Sequence, residues 1–444
     1  MSAPNSRPTL GLWMTTALVI GNTVGSGVFL LPAALGAYGS ISLIAWLFTA
    51  AGSLMCALVF ARLSRLLPRA GGPYAYTREA FGEFTGFLVA WGYWISCWTT
   101  NAALAVAMVS YLTVFWPTLG TNAALAGFTA VGSIWLLTLV NSLGVRPVGF
   151  LQVGTTVLKL TPLVGVTVIG LFYLDTSNFV PFNASEQSAG GALTACVALT
   201  LWAFLGIESA TIPAEHISNP ERTISRATLI GTGGIAVLYI AGTAAVMGIL
   251  PQSRLAASTA PFADAAATIW GSWAGYAVAA GAVLSCFGAL NGWILNTAQI
   301  SRAVARDRLF PGPFGRLSRR GMPLFGLLVS SVLATFLVAV NYTRGLVEQF
   351  TFIILLATLT ALVPYVFSAA SSLIMMSRKK EEQRHQLPRA ALMVSVLAFL
   401  YSIWAVAGAG HEIVYWGFLL LLAGIPVYVL MRWNGSMAPP EPER

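Results

Sequence analysis

The chain has 444 residues, of which 57% are hydrophobic and only 9% are charged, and its net charge is +9. Soluble domains carry about 25% charged residues, so this composition excludes a soluble globular protein. It predicts a membrane protein, much of whose surface is covered by lipid.

Long apolar runs recur from one end of the chain to the other. A helix needs about 20 mostly apolar residues to cross a bilayer, and about twelve runs satisfy this requirement. They lie near residues 12–35, 41–66, 84–113, 124–141, 147–172, 193–213, 226–247, 274–301, 322–340, 350–376, 390–408 and 412–431. We therefore predict an all-α polytopic membrane protein with about twelve transmembrane helices.

The first and sixth runs are interrupted near their centres. Residues 21–27 read GNTVGSG, and residues 206–209 read GIES, with Pro213 beyond. Unwound backbone at membrane depth persists only where it lines a cavity or is buried in protein. Paired breaks in two halves of a chain are typical of inverted-repeat transporters, so they predict a binding site. The glycines at 231–234 in the seventh run favour close helix packing instead.

Polar and aromatic residues accompany the breaks. Glu208 is the only acidic residue in the middle of a run, and such a residue is functional by default, the alternative being a protonated structural group. In the third run, five residues share one helical face, which suits a pocket wall or an ordinary packing face. These five residues are Tyr93, Ser96, Cys97, Asn101 and Leu104.

Two tryptophans lie away from the membrane interface. Trp202 stands just before the second break, and Trp293 lies in the middle of the eighth run. A tryptophan ring can stack on an ammonium or a guanidinium group, or it can simply pack. Together with Glu208 and the two breaks, they favour a cavity that accepts a cation.

Basic residues are placed asymmetrically between the runs. With a cytoplasmic N-terminus, every Lys and Arg faces the cytoplasm except Arg254, Arg344 and the intramembrane Lys159. This pattern follows the positive-inside rule, so we predict an inner-membrane protein with both termini in the cytoplasm. The positive charge is a topology signal, and no nucleic-acid partner is expected.

Other function classes lack their signatures. The sequence has no HExxH, P-loop or GxSxG motif and no intramembrane carboxylate pair, which argues against an enzyme. No cofactor or metal is predicted. A charged ring or a repeated filter loop, typical of channels, is also missing.

Several motifs resemble the amino acid–polyamine–organocation superfamily, in particular its basic amino acid/polyamine antiporters. The motifs are GNTVGSGVF at 21–29, GGPYAY at 71–76, LWAFLGIESA at 201–210, SNPER at 218–222 and STAPF at 258–262. The resemblance implies a single domain with two inverted five-helix repeats (12–172 and 193–376), two peripheral helices (390–431) and short cytoplasmic tails (1–11 and 432–444). It also implies alternating access and a homodimer.

The resemblance further implies the roles of individual residues. Backbone amides at Ser26 and Gly27, in the unwound segment that includes Asn22, would hold a substrate carboxylate. Carbonyls near Thr23, Trp202 and Leu205 would hold its α-amine. The residues implied around the side-chain head are Ser96, Cys97, Asn101, Leu104, Trp293 and Ala357. The implied gating residues are Tyr93, Trp202, Glu208, Trp293 and Tyr365.

Four positions depart from members that exchange arginine for agmatine. Leu104, Leu205 and Ala357 stand where those members have Met, Ile and Ser. Lys159 replaces a small residue, and several sodium-independent relatives of this fold carry a lysine there. Our hypothesis is that its ammonium replaces sodium by donating to carbonyls near Gly21 and Asn22; the alternative is a fixed structural cation.

The sequence therefore predicts a secondary transporter that exchanges a cationic amino acid for its amine or for another amino acid. The alternatives are a proton-coupled permease of broader or neutral specificity and a transporter-like sensor without net flux. The expected partners are a small amino acid or amine substrate, membrane lipid and a second copy of the chain.

Overall fold

A computed structural model of the chain describes residues 11–25, 27–67, 72–144, 161–208, 217–378 and 389–433. Within these ranges the chain forms helices and no β-sheet. Nine described helical segments are long and apolar enough to span a membrane, counting His411–Trp433 as one, and three shorter apolar helices accompany them. The prediction of an all-α polytopic membrane protein is thereby confirmed.

The helices follow the predicted apolar runs closely. The first half of the chain contains α1 (Leu12–Thr23), α2 (Gly27–Gly36), α3 (Ile41–Leu66), α4 (Pro73–Phe81), α5 (Glu83–Leu112), α6 (Ala123–Ser142) and α7 (Thr161–Tyr173). The second half contains α8 (Ala189–Leu201), α9 (Pro220–Ile249), α10 (Pro261–Trp270), α11 (Ser272–Arg306), α12 (Leu324–Asn341), α13 (Leu346–Ser377), α14 (Arg389–Ala407), α15 (His411–Leu422) and α16 (Gly424–Trp433).

The first predicted break separates α1 from α2. The α-helix ends at Thr23, and Val24 adopts an extended conformation (φ −77°, ψ 93°) before the helix resumes at Gly27. Gly25 lies beside α5 and α11, because a Cβ built on it would be 3.4 Å from Leu104 Cδ2 and 3.8 Å from Ala289 Cβ. The break therefore faces two helices of the core.

The second break begins earlier than the sequence indicated. The α-helix ends at Leu201 and a 3₁₀ turn covers Trp202–Phe204, so the interruption that we predicted at residues 206–209 starts at Trp202 instead. Leu205 is extended, and Gly206 has φ 104°, which a glycine adopts without steric cost. Ser209 and Pro213, which we had placed in this break, lie outside the described residues.

The helix α5 is the centre of the molecule. Nearly all of its side chains between Gly86 and Tyr111 are buried, since α11, α12 and α13 surround it. The glycine run of α9 behaves as predicted at Gly231, where a Cβ would be 2.8 Å from Val19 Cγ1 of α1. Gly233 and Gly234 instead face open space.

The two ends of the bundle carry different polar contacts. The basic end is the end at which α3 and α11 finish and α5 begins. There, Arg432 pairs with Glu83 (2.7 Å), and Tyr74 of α4 donates to Asp307 (2.7 Å). At the opposite end, Arg344 pairs with Glu412 (2.9 Å).

Candidate functional site

Glu208 is buried (1% exposed) and joins the second break to two neighbouring helices. Tyr93 of α5 donates its hydroxyl to Glu208 Oε1 and Tyr365 of α13 donates to Oε2, both at 2.7 Å. The amide of Gly206 also donates to Oε2 (3.1 Å). The structure therefore brings Tyr93, Glu208 and Tyr365 into direct contact, and their gating role stays a prediction.

The predicted face of α5 is buried from Tyr93 to Leu104. Burial does not distinguish this face from the others, because almost the whole helix is enclosed. Ser96 donates to the carbonyl of Tyr93 (3.1 Å), and Cys97 is fully buried. Leu104 is the residue that lies against Gly25 at the first break.

Asn101 connects this face to α11. Its Nδ2 donates to Thr297 Oγ1 (3.2 Å), and Thr297 donates to the carbonyl of Trp293 one turn earlier (2.6 Å). The Oδ1 of Asn101 has no hydrogen-bond partner among the described residues, although the side chain is only 1% exposed. A buried acceptor without a partner is costly, so it is suited to a donor on a bound molecule.

The remaining described residues of the predicted site are also buried. Trp202 and Trp293 are 6% and 8% exposed, and Ala357 on α13 is fully buried. Leu205 follows the 3₁₀ turn at the second break. The structure thus places these side chains in one continuous core, with direct polar bonds only within the Glu208 and Asn101 groups.

The first break has a partner that the sequence did not reveal. The hydroxyl of Tyr239 on α9 donates to the carbonyl of Thr23 (3.0 Å), which was expected to receive a substrate amine. A carbonyl has two acceptor sites, so this bond leaves one available. The sequence offered one signal of this bond: Tyr239 stands within an apolar run, and a buried tyrosine normally needs a hydrogen-bond partner.

Some predicted positions lie outside the described part. Ser26 and Lys159 are not described, and nor is the side chain of Asn22. Gly27 is the first residue of α2, where a helix N-terminus presents backbone amides suited to an anion. The roles of these four residues stay predictions.

Below the Glu208 group, a tyrosine and ion pairs connect helix ends at the basic end. Tyr93 lies about 12 Å along α5 from Asn101, toward this end. Burial and the neighbouring Asp307 raise the pKa of Tyr74, so its phenol stays a neutral donor. Tyr93 and the Glu208 carboxyl group that it binds therefore lie between Asn101 and the basic end.

Comparison with known proteins gives consistent matches over most of the chain. A family model described as amino acid permease matches residues 10–428. The chain is 32% identical over 435 residues to the putrescine transporter PotE of Haemophilus influenzae, covering 98% of this chain and 99% of that protein. It is 36% identical over 373 residues to the cadaverine/lysine antiporter of Escherichia coli K12, covering 82% and 83%. The family match includes both broken helices.

Proposed function

Because this chain belongs to the amino acid permease family, we propose that it exchanges a cationic amino acid for an amine across the inner membrane. The observation that carries the proposal is the buried Glu208 carboxylate at a broken helix. Among the described residues, Glu208 is the only buried acidic side chain, and no Lys or Arg is buried. Within the described part of the chain, no buried cation opposes a positively charged substrate, and the Glu208 carboxyl group can attract it.

The walls of the site supply further cation acceptors. The free Oδ1 of Asn101 accepts a hydrogen bond from an ammonium, and the ring face of Trp293 attracts its charge. The start of α2 at Gly27 is suited to the carboxylate of an amino acid. An amine lacks that carboxylate. The amino acid and the amine therefore use the same cation contacts, and only the amino acid also contacts the start of α2.

We propose that the preferred substrates carry an ammonium and not a guanidinium. A guanidinium presents five N–H donors in a fixed plane, whereas an ammonium presents three. Ala357 offers no hydroxyl where arginine-exchanging members have a serine, so fewer acceptors meet the side-chain head. Two of the similar proteins are named for putrescine and for cadaverine and lysine, which agrees with this preference.

The topology completes the proposal. We place the basic end in the cytoplasm, because positively charged loops remain on that side. Helices within 12–172 and 193–376 form the two repeats, and 390–431 form the peripheral pair. Substrate enters from either side as the breaks rearrange, and a homodimer stays an expectation from the resemblance.

Proteoliposomes containing the purified protein test this function. The vesicles are loaded with cadaverine, putrescine, agmatine, leucine or buffer, and uptake of labelled lysine, ornithine and arginine is measured at constant pH. We expect uptake to require an internal amine, with lysine or ornithine exceeding arginine. Empty-vesicle uptake that rises with an imposed proton gradient would establish the proton-coupled permease instead. Binding without flux under every condition would establish the sensor.

A further inference from the structure

A cleft between α3 and α9 at the basic end is separate from the transport site. Its described lining is Arg65, Glu221, Arg222, Ser225 and Arg226, and its volume is about 410 Å³. Arg65 from the end of α3 donates through Nη2 to Ser225 on α9, so the two helices are joined across the cleft. The cleft therefore has a fixed wall and two arginines on its rim.

The charge of this cleft is not neutralised by the described protein. Three guanidinium groups meet one carboxylate, and no ion pair within the described ranges involves Arg65, Arg222 or Arg226. Arg222 and Arg226 are also four residues apart on one helix, a spacing at which like charges repel. A bound anion would relieve this repulsion.

An apolar strip continues from the arginines along α9. Ile230 and Val237 are 45% and 69% exposed, and both follow Arg226 on the same helical face. Between them, Gly234 has open space where a side chain would stand. A shallow apolar strip directly beyond two arginines matches a phospholipid, whose acyl chain runs beneath its phosphate.

We propose that this cleft binds the anionic headgroup of a membrane phospholipid, with one acyl chain along the strip at Gly234. Phosphate is the group that the arginines recognise, since guanidinium forms paired hydrogen bonds with phosphate oxygens. Basic pockets between transmembrane helices are known to bind anionic headgroups. The strip favours a lipid over a free phosphate, because only a lipid has an acyl chain that can lie along it. The inference does not depend on which substrate is transported.

Native mass spectrometry of the purified full chain tests the site. Phosphatidylglycerol and phosphatidylcholine are titrated separately onto wild type, onto Arg222→Gln/Arg226→Gln, and onto Arg319→Gln/Arg320→Gln. The last variant is a matched control, because Arg319 and Arg320 are exposed outside the cleft and carry the same charge. We expect the cleft variant to bind phosphatidylglycerol at least about tenfold more weakly than wild type does. The control variant should bind it with wild-type affinity.

Two further measurements separate a lipid from a free anion. Gly234→Leu fills the strip without a change of charge, and we expect it to weaken phosphatidylglycerol severalfold while glycerol phosphate binds as before. Inorganic phosphate at millimolar concentration should not displace the lipid. Equal loss in both double variants, unchanged lipid binding in Gly234→Leu, or displacement by phosphate would each overturn the assignment.

Discussion

At the first break the carbonyl of Thr23 accepts one hydrogen bond from the neutral hydroxyl of Tyr239 on α9 (3.0 Å). At the second break Glu208 accepts hydrogen bonds from Tyr93 on α5 and Tyr365 on α13, both at 2.7 Å. Two interruptions that look alike in sequence are therefore stabilised by different chemistry. Among the described residues, a neutral hydroxyl binds a backbone carbonyl at the first break, and two hydroxyls bind one carboxyl group at the second.

The neighbours also belong to different parts of the bundle. The α1 helix packs closely on α9 at Gly231, and α8 is joined to α3 by Thr49 and Thr200 (2.6 Å). On the other side, α5 is joined to α11 through Asn101 and Thr297. Tyr239 thus bonds the first break to its own group of helices, whereas Glu208 bonds the second break across to the other group. We infer that movement between the groups breaks the Glu208 contacts and preserves the Tyr239 contact.

The largest effect is expected at Glu208. Glu208→Ala leaves two buried tyrosine hydroxyls without their acceptor, each costing about 1–3 kcal/mol, so we expect exchange to fall about 100-fold. Exchange in proteoliposomes measures this. Glu208→Gln retains an acceptor oxygen for a tyrosine hydroxyl but carries no charge, so it should keep part of the activity.

The matched control for this prediction is Glu348→Gln, since Glu348 is an exposed carboxylate at the opposite end. It should exchange at the wild-type rate. Wild-type exchange in a folded Glu208→Ala protein would show that the second break does not need its carboxyl group, and the comparison of the two breaks would fail.

The next effect in size concerns the two tyrosines. Tyr93→Phe and Tyr365→Phe each remove one hydrogen bond to a carboxyl group, and we expect about a tenfold change in exchange from each. The double variant should fall short of the product of the two, because both hydroxyls bind the same carboxyl group and we propose that they act as one gate. Tyr276→Phe, a half-exposed tyrosine, is the control. Fully independent effects in the double variant would mean that the tyrosines do not form one gate.

A smaller effect is expected at Trp293, for which we propose a role in substrate binding. Trp293→Ala should weaken a cationic substrate by about 1–2 kcal/mol, and Trp293→Phe by less, because a ring face still attracts a cation. Calorimetry with lysine and with cadaverine measures both. If both variants bind these substrates with wild-type affinity, Trp293 is a packing residue.

Local sequence was sufficient for much of this architecture. Apolar runs located the helices because lipid exposure requires about 20 apolar residues in each, and Glu208 was found because a lone intramembrane acid is costly. The bond from Tyr239 to Thr23 joins residues 216 positions apart, and no local pattern encodes such a pairing. The early end of α8 at Leu201 was missed for a similar reason, since residues 202–204 read as continuous apolar helix and tertiary contacts decide where it unwinds.

The smallest effect is expected at Tyr239, and it separates the two breaks most directly. Tyr239→Phe removes one neutral hydrogen bond, so we expect the folded protein to lose about 0.5–1.5 kcal/mol of stability while exchange changes less than threefold. Tyr111→Phe is a comparison for stability, because Tyr111 on α5 also donates to a backbone carbonyl, that of Phe29 within α2 (2.7 Å), and accepts from the amide of Phe262 (3.4 Å). Both variants should lower the melting temperature similarly. Because the Tyr239 bond lies within one moving group, its loss should affect both transport directions equally, whereas Tyr93→Phe should alter them unequally. A direction-dependent defect in Tyr239→Phe would show that the first break is also a point of movement between the groups.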